Sequence, residues 1–194
     1  MVKSKKKLPQ QQGDRRQLIL ETTLRMIAAG GIDSVTHRRV AEAADIPLGS
    51  TTYYFDSREH LLRETFEYYI GMAKALHENL GSKPLNEVRD LVNFLVELTN
   101  RELEDEALLL AEYEMTLFAA RDELVAELLH EWDSVMIANI TEAMNTLGAK
   151  RPKDAARTIL HLIRGYELER LSRHAPDPAD LRRRIKDVLV AFID

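Results

Sequence analysis

Apolar residues recur along this chain at three- and four-residue intervals, the spacing of one helix face. Leu18, Ile19, Thr22, Thr23, Met26 and Ile27 make the first stripe, with Asp14 placed to cap it and Gly30-Gly31 to end it. Two short patterns follow. Val40, Ala41 and Ala44 share a face behind Thr36, whose hydroxyl suits a helix N-cap. Asp45 falls where a left-handed exit is needed, and Pro47 and Gly49 lead into a second short helix at Ser50 to Tyr54. Asp56-x-x-Glu59 has the form of a capping box for a long helix with Leu62, Phe66, Tyr69, Ala73, Leu76 and Leu80 inward and Gly81 as its stop. Five more helices are predicted: Asn86 to about Arg101, Asp105 to Ala120, Asp122 to Leu147, one opened by Pro152, and one opened by Asp177-Pro178. The segment ALLLAEYEMTLFAA is apolar on most faces, which predicts deep burial. Strand-like alternation and internal repeats are absent, so the expected class is all-α.

Two short helices meeting at a tight turn make a helix-turn-helix, whose second helix enters the major groove of DNA. The first helix braces that pair as a three-helix head. The long helix, starting beside the reader and running into the body, is the natural lever. The expected division is a head at residues 1–56 and a six-helix body at 57–194.

The stretch VAEAADIPLGSTTYYFDSREHLL resembles the DNA-binding signature of the TetR family of transcriptional regulators. Its matching parts are Val40-Ala41, Gly49, Tyr53-Tyr54-Phe55, and Ser57-Arg58-Glu59 with Leu61. With the preceding helix, the match covers roughly the first third of the chain. Asp45 departs from the usual turn Gly, and Thr51-Thr52 stand where Leu-Tyr is common. The resemblance implies a head joined by a long helix to a C-terminal bundle that dimerises, and a repressor released by a small-molecule effector.

Charge sharpens this picture. The net charge of −5 argues at first against nucleic acid, but residues 1–60 carry ten Lys and Arg against seven Asp and Glu. The remainder carries seventeen against twenty-five. A phosphate backbone feels the local field, screened over about 10 Å, so a basic head on an acidic body can bind DNA. The basic lead with Lys3, Lys5, Lys6 and Lys7 reads either as a solvated tail or as an arm on phosphates. With no cysteine, disulfides and thiolate metal sites are excluded. No apolar run approaches a membrane span, and the N-terminus lacks the apolar core of a secretion signal, so a cytoplasmic protein without a membrane partner is expected.

At the reader, the resemblance makes Thr36, His37, Arg38, Gly49, Ser50, Thr52, Tyr54 and Arg58 the expected DNA contacts. Physically, the fork of Arg38 suits guanine O6 and N7. Thr36, Tyr54 and Arg58 fit phosphate grips. Each Arg alone would read as a surface charge; their convergence on one turn favours contact. Phe55 reads as core, and Tyr53 as packed against the first helix. Regulation requires a two-fold dimer on a palindromic double-stranded operator, half-sites about one turn or a multiple apart. The apolar stripes of the last two helices supply the expected dimer surface, through Ile159, Ile163, Gly165, Tyr166, Leu181, Ile185, Val188 and Phe192.

In the body, His77, Phe94, Glu112, Tyr113, Phe118, Trp132, Met136 and His161 sit on helices expected to converge on an effector pocket. Aromatic and Met residues at helical spacing equally make plain core. A carboxylate of Glu112 or Glu114 turned inward would suit a cationic or hydrogen-bonding effector. A catalytic reading finds little. A di-iron bundle needs two Glu-x-x-His pairs, and only Glu127 to His130 provides one. Phosphate loop, dinucleotide fingerprint and nucleophile elbow are absent, so neither enzyme activity, cofactor nor metal is expected. The alternatives are a helical ligand- or protein-binding module without a DNA role and, further off, a helical-bundle metalloenzyme.

Overall fold

The computed structural model describes residues 9–80, 85–172 and 177–193. Among the described residues the regular structure is entirely helical: α1 (Pro9–Gly30), a single 3-10 turn at Ile32–Ser34, α2 (His37–Ala43), α3 (Leu48–Tyr54), α4 (Arg58–Leu80), α5 (Val88–Leu103), α6 (Glu106–Ala119), α7 (Glu123–Thr146), α8 (Pro152–Ser172) and α9 (Pro178–Ile193). None of these helices is long and apolar enough to cross a membrane. The basic lead, the Gly81 stop and the side chain of His77 lie outside the described residues.

Local chemistry explains most boundaries. Thr36 is extended and its hydroxyl accepts from the Arg39 N–H at 3.2 Å, capping α2. Asp45 is the sole non-glycine at positive φ among the described residues, at 51°, and makes the α2–α3 turn. Asp105 and Asp122 cap α6 and α7 by accepting from Leu108 and Val125. Three expectations differ. The first helix begins at Pro9, not at an Asp14 cap, because proline's missing N–H costs nothing in the first turn. At α4, the Ser57 hydroxyl rather than Asp56 accepts from the first-turn N–H of His60, at 3.0 Å. And α6 is only half sunk. It buries Leu109, Ala111 and Met115 but leaves Leu117 well exposed, since among the described residues α1, α5 and α7 cover only part of its surface.

The core forms two clusters. One joins α1 to α3 to α4, α6 and α7 through Ile19, Leu24, Val40, Phe55, Leu62, Phe66, Met115 and Trp132, and so crosses residue 56 without a break. The other holds α5, α7, α8 and α9 together through Leu91, Leu95, Ile140, Ile159, Ile163, Leu181 and Ile185. Phe94 and Ile137 pack against both. A push on the body helices therefore meets close-packed side chains all the way to the reader, and dense interiors transmit strain.

Candidate nucleic-acid interface and interior cavity

α3 is held by its inner face alone. Thr51 is buried and donates its hydroxyl to the Leu48 carbonyl at 2.8 Å and the His37 carbonyl at 3.4 Å, locking α3 to α2. Arg15 of α1 donates to the Ser50 hydroxyl at 3.5 Å. Phe55 is fully buried at the end of α3. Leu48, Gly49, Thr52 and Tyr53 are left facing outward, and an added Cβ at Gly49 would meet nothing within 4 Å. Tyr53, expected against the first helix, instead points away from the protein with 70% of its surface exposed. Its ring makes an edge-on contact with Tyr54, centroids 5.1 Å apart. Its position, two residues past inward-facing Thr51, puts it on the outer side of a seven-residue helix.

The expected contact residues divide. Thr36, Arg38, Gly49 and Thr52 are exposed around the turn, with Ser50 and Tyr54 partly so. Arg38 reaches Glu42 at 3.0 Å on an open surface, a pair weak enough to yield to DNA. His37 is different. Both of its ring nitrogens are buried and unpartnered, so the ring packs between helices rather than facing outward. Arg58 also differs: it donates to the Val35 carbonyl at 2.9 Å and the Ile32 carbonyl at 2.7 Å. It braces the link between α1 and α2, and its fork is committed to backbone rather than to solvent.

That link is gripped from the body as well. Gly31 has φ +70°, a conformation that suits glycine, and a Cβ there would sit 3.5 Å from the Glu114 carboxylate. Glu114 of α6 accepts from the Ile32 N–H at 3.3 Å. Arg63 of α4 pairs with the α7 cap Asp122 at 3.0 Å.

Behind α6 lies a cavity of about 30 Å³, lined among others by Leu98, Glu102, Glu112, Trp132, Arg164 and Glu167. Three glutamates converge there. Glu112 accepts from Tyr69 of α4 in a short contact. Glu167 accepts from the Tyr113 hydroxyl at 2.9 Å and is hydrogen-bonded to Glu102. Arg164 adds a cation, but it forks onto Asp133, one of the two bonds 3.2 Å long. Burial, then the charges of Glu102 and Glu112, push the Glu167 carboxyl up to about 9. Burial and the Glu112 charge push Glu102 up to about 8. Burial and Glu112 likewise hold the Tyr69 hydroxyl well above its ordinary range. Burial thus favours the neutral, hydrogen-bonded forms of Glu102 and Glu167 over their charged forms.

Of the residues expected at an effector pocket, Glu112, Trp132 and Met136 line this cavity. Tyr113 stands behind it, bonded to Glu167 and to the Arg164 carbonyl. Phe94 packs between the two core clusters, and Phe118 stacks at a tilt on Phe66, centroids 6.1 Å apart, on the reader side. His161 is exposed on the outer face of α8. Glu102 and Glu167 went unforeseen, although their spacing marks them: Glu102 is four residues beyond buried Leu98, and Glu167 four beyond buried Ile163.

The expected dimer residues mostly turn inward. Ile159, Ile163, Tyr166, Leu181 and Ile185 are buried in the chain's own second cluster, because α8 and α9 pack on α5 and α7 through those stripes. Val188 and Phe192 are half-buried against the same cluster, whereas Gly165 is exposed. The free face of α8 carries Arg157, Thr158, His161, Gly165 and Leu168, the last 49% exposed.

Comparison with known proteins identifies this arrangement. Residues 19–65 match the bacterial regulatory proteins, tetR family, and residues 86–194 match the tetracyclin repressor-like C-terminal domain. The HTH-type transcriptional repressor KstR of Rhodococcus jostii (strain RHA1) is 45% identical over 51 residues, 26% of this chain and 24% of that protein. The chain spans about a quarter of the length of the curated relatives it matches. Solved structures match along nearly the whole chain. The transcriptional regulator SCO7518 from Streptomyces coelicolor A3(2) is 30% identical with a TM-score of 0.73, covering 91% of this chain and 98% of that one. The multidrug binding protein EbrR complexed with ethidium is 26% identical with a TM-score of 0.70, covering 90% and 98%. The chain belongs to the TetR family of DNA-binding transcriptional regulators.

Proposed function

We propose that this chain is a cytoplasmic, homodimeric repressor that grips a palindromic operator with its two α3 helices and lets go when a small molecule enters the body. The observation that carries the release step is the carboxyl-lined cavity between α5, α6, α7 and α8. At about 30 Å³ it has room for water but not for an organic ligand. A ligand must therefore spread the helices that line it. One of those helices, α6, is tied to the reader twice. α6 reaches the α1–α2 link through Glu114, and Glu112 holds Tyr69 on α4, whose first residue Arg58 braces the same link. An effector that binds the widened body better than the closed one shifts the population away from the DNA-gripping form by its difference in affinity.

The three carboxyl groups favour an effector that is cationic or rich in hydrogen-bond donors, because Arg164 on the cavity wall is already paired to Asp133. The ethidium bound by EbrR, itself a cation, supports that class. Dimerisation is assigned to the outward face of α8, around Thr158, His161, Gly165 and Leu168, together with the exposed side of α9. There exposed Gly165 permits close helix approach.

The test has two parts. Duplexes selected from random DNA with the purified protein should share a two-fold symmetric site, and affinity should fall steeply with salt. Ethidium in equilibrium dialysis against DNA-free protein should bind the wild type and bind Glu112→Gln several-fold more weakly. Asymmetric or unenriched DNA rejects the operator reading; equal dye binding by both proteins rejects the cavity reading.

A further inference from the structure

The outward face of α3 consists of two neighbouring i, i+4 pairs, Leu48 with Thr52 and Gly49 with Tyr53. No Arg, Lys, Asn, Gln, Asp or Glu occurs from Ile46 through Phe55. The side chains that read a guanine or an adenine edge through paired hydrogen bonds are thus missing from the helix that enters the groove. Its hydroxyls are largely turned back on the protein. Thr51 serves the Leu48 and His37 carbonyls, Ser50 accepts from Arg15, and Thr52 reaches back to the Leu48 carbonyl at 3.5 Å. What α3 holds out is mainly apolar surface, with Leu48 48% exposed and the Tyr53 ring, tipped by its hydroxyl, 70% exposed.

A leucine at the start of a short helix, half exposed and outside both core clusters, adds little to the fold. In the major groove one feature of the base pairs is apolar, the C5-methyl of thymine. We propose that α3 reads thymine through that methyl group, with Leu48 and Tyr53 as the specificity-determining side chains. Hydrogen-bond reading falls to Arg38 at the start of α2, and the α3 face selects T·A pairs by covering a methyl and excluding water from it. This rests on the operator reading above, and its test is built to fail separately.

Sites are first selected from random duplexes with the wild-type protein. Each thymine of the selected half-site is then replaced singly by deoxyuridine, which keeps every hydrogen bond and deletes only the methyl. At one or two positions per half-site, affinity should fall about three- to fivefold, as expected for uncovering one methyl-sized group. At those positions 5-methylcytosine should bind better than cytosine. In Leu48→Ala, which loses a half-exposed side chain outside the core and whose melting curve should stay close to the wild type, the thymine-to-uracil ratio should fall towards one. Tyr53→Ala serves as the second variant. Tolerance of deoxyuridine at every position while the wild type still binds its selected site overturns the proposal. So does a thymine-to-uracil ratio unchanged in both variants. Failure to enrich any duplex overturns the operator reading and this inference with it.

Discussion

Replacing Glu167 by glutamine should make the folded chain more stable at neutral and alkaline pH. Glu167 is 4% exposed and holds its proton up to about 9, against an ordinary value of 4.5. Between those limits the folded chain binds a proton that the unfolded chain has lost, so stability falls as pH rises. The contribution is whole below about 4.5, is eroded through neutrality, and is gone once pH passes the folded value of about 9. At about 1.4 kcal/mol per pH unit, retaining that proton at pH 7 costs on the order of 3 kcal/mol. Glutamine has no proton to lose. Its amide oxygen can still accept from Tyr113, and its amide N–H can face Glu102. A second, poorly matched N–H offsets about 1 kcal/mol. The expected net gain is about 2 kcal/mol at pH 7, rising towards pH 8.5, vanishing at about pH 5 and turning into a small loss below that. Urea titrations at a fixed protein concentration, which holds any dimer linkage constant, read this directly. Wild-type and variant curves that stay parallel from pH 5 to 8.5 would refute the protonated glutamate network.

Other substitutions probe separate joints. Arg38→Ala should weaken binding to the selected site and relax preference at one position of the half-site, by about 1–3 kcal/mol in a competition assay. Arg58→Ala should lower stability by about 2 kcal/mol, because the Ile32 and Val35 carbonyls both lose a charged donor; thermal melts without DNA will show it. Gly31→Ala should cost about 1–2 kcal/mol from its φ of +70°. Asp122→Ala removes both the α7 cap and the partner of Arg63, and should destabilise by about 1–2 kcal/mol in the same urea assay.

What could be read from residues alone tracks how local the cause is. Thr36 caps α2 and Asp45 makes the turn because both effects reach only three or four residues. Glycines 31 and 148 end α1 and α7 in left-handed conformations for the same reason. Apolar stripes are different, since periodicity reveals that a face is covered but not by what. Ile159, Ile163 and Leu181 looked available to a second copy and are instead buried by α5 and α7. Arg58 looked like a phosphate grip because its backbone acceptors lie 23 and 26 residues away, beyond any local pattern. Glu102 and Glu167 were hidden by the habit of placing charges outside; only their register with Leu98 and Ile163 betrays them.

Repression by this chain requires α3 to lie in the major groove of DNA held by two copies of it. The sequence contains no cysteine, so Thr52→Cys gives one attachment point for an iron chelate on the exposed face of that helix. On the selected duplex, strand cleavage should cluster at two places, related by two-fold symmetry and separated by about one helical turn or a multiple. Uniform cleavage, a single cluster, or cuts no different from those of a chelate placed on α9 would contradict it.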